Sequence, residues 1–585
     1  MKTSIRNLLI AGALAGALGS CDMDVVPPAE ISAPSYWKTD KDAWYALNSC
    51  YEKMRGLDIW DEMCTDNAHS HKPWEGNFEL VQQNGINTAA PYGDYDFEAV
   101  RRANTFIDNV DKCEMSDELK ARMKAEARFF RAFAYLELTR YFGKVALITE
   151  AIPYDAPNMP RNSLEEVHTF ILNELAEAAA VLPESYSGGY LNETGRVTRY
   201  GALALRARAA LYFGNYAEAE KSAQDVIGSN KYELFRIASL DAAQQQEADE
   251  MDLYVDFAAL GIDKDAFVKG MFSYEALWHG ANASPANKEY VLTHEYMADA
   301  NAKDEYRYTY FIPLDMSIKD GYSSYEPMQD LIDAYWAVDG KTIPTPPTVE
   351  ARKAAYEDIW SQTKDLDKAA YKQFATGTAL KAHPYMQEFR NRDSRLYTSF
   401  MFPFKGWHGS PIGEHYYRWD PSNINSLGNF SWTGFSYRKM VSVNPYNQNA
   451  SPDDYPTIRY AEVLLTFAEA HLMNTGYDQA VRDALNRIRD RCGMPHVPAA
   501  LSKEAAIDFL RNERRIELAG EGHRFDDVRR YGSAYCQQYL NGPSTAPNGH
   551  VVINKGWNDR LLLMPIPTEA IDTNPLLKDD QNPGY

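Results

Sequence analysis

The amino-acid sequence predicts a mainly α-helical protein in which paired helices form a scaffold and a large, irregular, loop-rich insert interrupts them. Three observations carry this prediction. Residues 118–142 place Phe130, Ala134, Leu138 and Tyr141 on one stripe, with Phe133 beside it, at the i, i+4, i+8, i+11 spacing of an amphipathic helix. A helix, a Gly-Asn-Tyr turn and a second helix follow one another over 198–227, and the same order recurs at 459–489. Between these units, residues 230–458 are rich in Gly, Asn and aromatic rings and contain Pro-Thr-Pro-Pro at 344–347.

Along the chain, Gly143 ends the first helix, and VALI at 145–148 follows as a short extended piece before Pro153. Residues 164–182 and 198–213 form two further helices. The second runs into Gly214-Asn215-Tyr216 and a helical stretch to Ile227, so the two helices lie antiparallel. Ala207, Ala210, Ala219 and Ala223 line the places where their backbones approach closely, which resembles a tetratricopeptide unit. At 459–489, Ala461, Leu464, Leu465, Ala468 and Leu472 share one face before Gly476-Tyr477, and Ala480, Ala484 and Ile488 follow it. The distance between the two units contradicts a simple continuous solenoid. The insert therefore reads as loops, short helices and small hairpins draped over the helical scaffold, with rings at Trp278, Trp336, Trp407, Tyr416, Tyr417, Trp419 and Trp432. A last helix opens at Ser502, a typical N-cap residue, and runs to Gly520.

Cys21 closes a short apolar leader. Lys2 and Arg6 supply a positive start, Leu8 to Leu18 is too short to span a bilayer core of roughly 30 Å, and Gly19-Ser20-Cys21 resembles a bacterial lipobox. Residues 1–20 are then a signal peptide, and Cys21 is the lipidated first residue of the mature chain. Asp22-Met23-Asp24 resembles a surface-export signal of Bacteroidetes lipoproteins. The 60 basic and 82 acidic residues leave a net charge of −22, which argues against nucleic acid as a partner. Cys50, Cys64, Cys113, Cys492 and Cys536 have no CxxC spacing and cannot all pair with one another, so no disulfide framework or cysteine zinc site is expected. Aromatic residues make up 13% of the chain, with 39 Tyr and 11 Trp. That exceeds what a core suggests and points to loops that display rings.

Five blocks taken together resemble the SusD/RagB family of outer-membrane nutrient-binding lipoproteins: AEARFFRAFAYLELTRYFGKVALI at 125–148, RVTRYGALALRARAALYFGNYAEA at 196–219, IRYAEVLLTFAEA at 458–470, ERRIELAGEGHRFDDVRRYG at 513–532 and MPIPTEAIDTNPLLKDDQNPGY at 564–585. Met564 departs from the bulky or aromatic residue or Leu usual before Pro-Ile-Pro. The resemblance implies four tetratricopeptide-like helical pairs, a variable part that carries ligand-binding loops, and no enzymatic activity. It implies a division into 21–229 (N-terminal helical part), 230–458 (ligand-binding insert) and 459–585 (C-terminal helical part). It also implies a partner, a SusC-like TonB-dependent transporter in the outer membrane, with two copies of each chain in the assembly.

The residues themselves leave little room for catalysis. Glu513, Glu517 and Glu521 recur at i, i+4 with Arg interleaved, as a structural ion-pair network across a helix and its next turn requires. His294-Glu295 lacks the second His of a zinc helix, and His69 with His71 supplies too few ligands, so no metal or other cofactor is expected. No phosphate-binding glycine loop, dinucleotide fingerprint or GxSxG elbow occurs. Sugar binding needs rings for the C–H faces and planar polar groups for the hydroxyls. Two segments offer both. In 64–95 the candidates are Asp66, Asn67, Trp74 and Tyr92, and in the insert they are Trp278, Tyr417, Trp419 and Trp432. Trp44 and Trp60 are read as helix-packing residues. The expected activity is oligosaccharide capture, with a peptide ligand or a surface glycosidase as the alternatives.

Overall fold

The computed structural model describes residues 36–585 apart from 55–59, 71–76, 154–155, 187–192, 297–310, 312–315, 317–320, 425–428 and 444–450. The leader with Cys21, and also His71 and Trp74, lie outside the described residues. In chain order the principal helices are α1 (Asp40–Tyr51), α2 (Glu98–Asn109), α3 (Asp117–Phe142), α4 (Leu164–Val181), α5 (Arg199–Tyr212), α6 (Tyr216–Gly228), α7 (Lys264–Ala276), α8 (Tyr460–Asn474), α9 (Gln479–Cys492), α10 (Lys503–Glu517) and α11 (Arg524–Arg530). Their starts follow local chemistry. The side chains of Ser116, Ser163, Thr198, Asn215 and Ser502 each accept a hydrogen bond from a first-turn N–H of α3, α4, α5, α6 and α10 respectively. Glu166 completes a capping box with Ser163.

Four antiparallel pairs form the scaffold: α1 with α2, α3 with α4, α5 with α6, and α8 with α9. Each pair stacks on the next through α2 on α3, α4 on α5 and α6 on α8. The last contact resolves the apparent contradiction in the sequence. A pair cannot bury its apolar faces alone, so α6 and α8 meet in space although the insert separates them along the chain. The ladder between Tyr290–His294 and Tyr455–Arg459 holds the two arms of the insert together where it rejoins α8. Residues 145–148, expected to be extended, form no ladder; the Ile148 N–H instead donates to the Tyr135 hydroxyl at 2.6 Å.

The insert is integrated into the core. Its helix α7 packs along α9 so closely that a Cβ on Gly270 would lie 2.1 Å from the carbonyl carbon of Cys492. Gly493, at φ +65°, faces the Ala266 carbonyl in the same contact. Rings expected to be displayed on loops are buried. Trp278, Trp336, Trp407, Tyr416, Tyr417 and Trp419 all belong to the core. The physical reason is that the insert carries helices of its own. Tyr356, from Val349–Thr363, donates to the Trp419 carbonyl at 2.8 Å, and Tyr371, from Lys368–Ala375, donates to the Tyr417 carbonyl at 2.9 Å.

The charge-rich α10 and α11 form a buried network, with partners other than those expected. Glu513 accepts from Arg489 at 2.6 Å and from the Trp336 indole at 2.9 Å, and pairs with Arg395 at 2.8 Å. Glu517 pairs with Arg395, Arg459 and Arg491. Glu521 pairs with Arg459 and Lys439, each at 2.7 Å. These cations come from the insert, from the strand before α8 and from α9. The spacing of α10 suggested i, i+4 partners within the helix, but α10 is surrounded by packed elements, so its carboxylates meet the charges those elements bring. The five cysteines expected in the mature chain besides Cys21 are all buried free thiols.

Candidate functional site

An open trough of about 640 Å³ runs along α3. Its floor includes Phe130, Phe133, Ala134, Leu138 and Tyr141, the same stripe the sequence shows at helical spacing. Trp60 begins a 3-10 turn, Trp60–Cys64, and Phe78 begins the short helix Phe78–Gln82. Their rings stack with centroids 5.6 Å apart and planes 15° apart. Tyr92 stands edge-on to Phe78 and to Tyr141, at 5.8 Å from each. Tyr325, from the insert, meets Trp60 edge-on at 4.8 Å.

Asp61 holds two of these rings. Its buried carboxylate accepts from the Tyr92 hydroxyl at 2.6 Å and from the Tyr141 hydroxyl at 2.7 Å, and pairs with Arg140 at 2.6 Å. Arg140 also reaches Asp526 of α11 at 2.8 Å, so the trough is braced against the C-terminal part. Burial, and next the Asp61 charge, hold the Tyr92 phenol well above its ordinary pKa, so it stays protonated as a donor. Gly93, at φ +87°, lies flat on Tyr141. A Cβ there would come 2.8 Å from that ring, so the chain can cross it only as glycine. Asn77, Asp94, Asp96 and Glu137 supply polar groups along the rim. Rings on the floor with carboxylate and amide groups above them can take a molecule that has both C–H faces and hydroxyls.

Of the eight ligand candidates read from the sequence, Tyr92 borders the trough and Trp74 lies outside the described residues. Asp66 is withdrawn as a ligand group, because its buried carboxylate pairs with Arg515 at 2.8 Å and Arg524 at 2.9 Å. Asn67 is withdrawn for the same reason: its amide donates to Glu62 and its oxygen accepts from Arg515 at 2.7 Å. Trp278, 2% exposed, has Lys439 5.4 Å from its ring centre and Tyr455 stacked at 6.1 Å. Tyr417 and Trp419 lie under the helices of the insert, and the Trp419 indole donates to the Ser431 carbonyl. Trp432 is half-buried, with its backbone N–H donating to the carboxylate of Glu326, the residue paired with His69 in the ladder that joins 68–69 to 326–327. That ladder does bring the N-terminal segment against the insert. Trp60, Phe78, Tyr141, Asp94 and Asp96 line the trough but were not among the candidates read from the sequence. For Trp60 a signal existed, a Trp-Asp pair immediately before the ring-bearing segment.

Among the described residues no group of three or more His, Cys, Asp or Glu side chains is arranged to hold a metal ion, and no helix is long and apolar enough to cross a membrane.

The fold defines a class, an α-helical protein of stacked tetratricopeptide-like pairs that carries an aromatic trough. Comparison with known proteins narrows it. Residues 288–585 match the model described as the SusD family, and residues 39–211 match one described as starch-binding associating with outer membrane. A SusD-like protein of Formosa agariphila is 24% identical over 89% of this chain and 90% of its own length. The crystal structure of a SusD-like protein from Bacteroides fragilis superposes with a TM-score of 0.73 at 24% identity, covering 96% of this chain and 100% of that one. A SusD-like carbohydrate-binding protein from the same species gives 0.69 at 21% identity, with 93% and 100% covered. The chain belongs to the SusD family.

Proposed function

We propose that this protein captures an oligosaccharide in the trough of Trp60, Phe78, Tyr92 and Tyr141 and passes it to a SusC-like TonB-dependent transporter in the outer membrane. The observation that carries the reading is the ring floor under a carboxylate- and amide-bearing rim. The starch-binding description of the matched N-terminal model and the carbohydrate-binding relative support the same ligand class. A lipid at Cys21 tethers the protein at the outer face of the cell. The action is binding without bond cleavage.

Calorimetric titration of the mature chain against a glycan panel tests the capture step. Trp60→Ala removes a stacking platform and is expected to weaken binding by about tenfold or more, since an aromatic contact of this kind is worth about 0.5–1.5 kcal/mol beyond its buried area. A panel that gives no heat rejects glycan capture, and heat only with peptides replaces the ligand class. Sugar released from a polysaccharide, and lost on substitution of one carboxylate, rejects binding without cleavage. Co-purification from outer membranes tests the transporter, and Cys21→Ala is expected to release a folded, ligand-competent protein into the medium.

A further inference from the structure

The trough does not end at Gly93. Pro91, Gly93, Asp94 and Asp96 form a ridge, and on its far side a second open trough of about 760 Å³ begins, lined by the same four residues. Its other walls come from the segment after α3, with Ile148 and Ile152, and from the C-terminal helix Thr568–Thr573, with Ala570. Each trough lies within the range of about 300–1,000 Å³ typical of small-ligand sites, so a ligand occupying both must be extended and must cross the ridge.

The charges along this path are predominantly negative. Asp94 and Asp96 stand exposed on the ridge, Glu137 lines the first trough and Glu569 the second. Lys53 is the one cation lining either trough among the described residues, and Glu98 engages it at 2.6 Å. Asp94, Asp96 and Glu569 have no ion-pair partner among the described residues. The whole chain carries −22. An anionic chain lying across the ridge would put its charges beside Asp94 and Asp96, where no cation among the described residues receives them, a juxtaposition that rejects a partner more strongly than it costs a neutral one. Hydroxyl groups meet no such penalty, because a carboxylate accepts from them.

Building on the glycan-binding reading, we propose that the ligand is an uncharged, linear oligosaccharide that spans both troughs, and that Asp94 and Asp96 exclude uronate and sulfated glycans. The test is calorimetry on the mature chain with neutral linear oligosaccharides of glucose, mannose or xylose, from disaccharide to octasaccharide, beside oligogalacturonates of the same lengths. Affinity for the neutral series is expected to keep rising beyond the length that fills the first trough. Ala570→Trp, which narrows the second trough, is expected to weaken the long oligomers about tenfold and leave the short ones unchanged. Oligogalacturonates are expected to bind at least about tenfold more weakly than neutral chains at low salt, and Asp94→Asn with Asp96→Asn to close most of that gap. Circular dichroism of each variant establishes that it is folded. Equal or tighter binding of the uronates overturns the charge selection, and indifference of the long oligomers to Ala570→Trp overturns the second trough, with glycan capture intact in both cases. Silence toward every glycan overturns the capture reading and this inference with it.

Discussion

Asp61 follows Trp60 in the chain and is not itself part of the open trough's lining. It works through Tyr92 and Tyr141, whose hydroxyls converge on its carboxylate. Asp61→Asn keeps the volume but cannot accept from both phenols and the Arg140 guanidinium at once. Expected outcomes are a loss of about 1–3 kcal/mol in unfolding free energy, from the buried donors left unmatched, and weaker ligand binding than that of the unaltered chain. Denaturant melts and calorimetry read the two effects separately. A contrasting result is expected for Trp419, buried and hydrogen-bonded to Ser431. Trp419→Ala should cost about 3–5 kcal/mol of stability, while the surviving folded protein binds as before. The pair of variants separates rings that bind from rings that only pack.

At the level of elements, α10 and the α7–α9 crossing bind the scaffold to the insert. Glu517 of α10 faces Arg395 of the insert, Arg459 before α8 and Arg491 of α9, all buried. Burial by itself would raise its carboxyl, but the three guanidinia outweigh burial and hold it far below the usual range. Glu517→Ala leaves three buried cations short of a partner and is expected to destabilise by about 3–5 kcal/mol, visible as a drop in the denaturation midpoint. The α7–α9 crossing depends on shape. Gly270→Ala places a methyl group inside the backbone of Cys492, and forcing the helices apart is expected to cost about 3 kcal/mol or more. An unchanged melting curve for Gly270→Ala would show that the two helices are not held at this distance.

For the whole molecule, the buried charges set the response to acid. Burial keeps His523 neutral down to about 4, whereas in the unfolded chain it takes a proton near 6.5. The unfolded state therefore binds more protons between these values, and this term loses stability as pH falls from about 6.5 to 4. Glu388 and Asp454 act oppositely. Burial raises each to about 7, so the folded state binds more protons and gains stability over nearly the same interval. Glu521 and Asp527 are buried too, but Arg459 and Lys439, and Arg514 and Arg530, outweigh burial and hold both carboxyls at about 2. Their contribution is present above about pH 4 and is lost as pH falls toward 2. Urea midpoints measured against pH are expected to rise as pH falls from about 7 to 4, because the two raised carboxyls outweigh the one histidine, and then to fall as Glu521 and Asp527 take up protons.

The helical pairs were legible in the sequence because their signals are local. The stripe of Phe130, Ala134, Leu138 and Tyr141, the small residues of α5 and α6 and the caps at Ser163 and Ser502 lie within a few turns of one another. The ring-and-carboxylate character of the 64–95 segment was legible too, and Tyr92 came from it. What composition could not reveal is which side of a ring or carboxylate meets water. Trp278 and Trp419 resemble Trp60 in sequence, and Asp66 resembles Asp94, yet the first of each kind is enclosed by elements far away along the chain. Local pattern alone specified the helices at 118–142, 164–182 and 502–520, the pairs at 198–227 and 459–489, and the blocks that carry the family resemblance. The tertiary structure decided that α6 meets α8 across the insert, that α10 takes its counter-charges from other elements, and which rings floor the trough. Burial is a sum over contacts from distant segments, and no local pattern contains that sum.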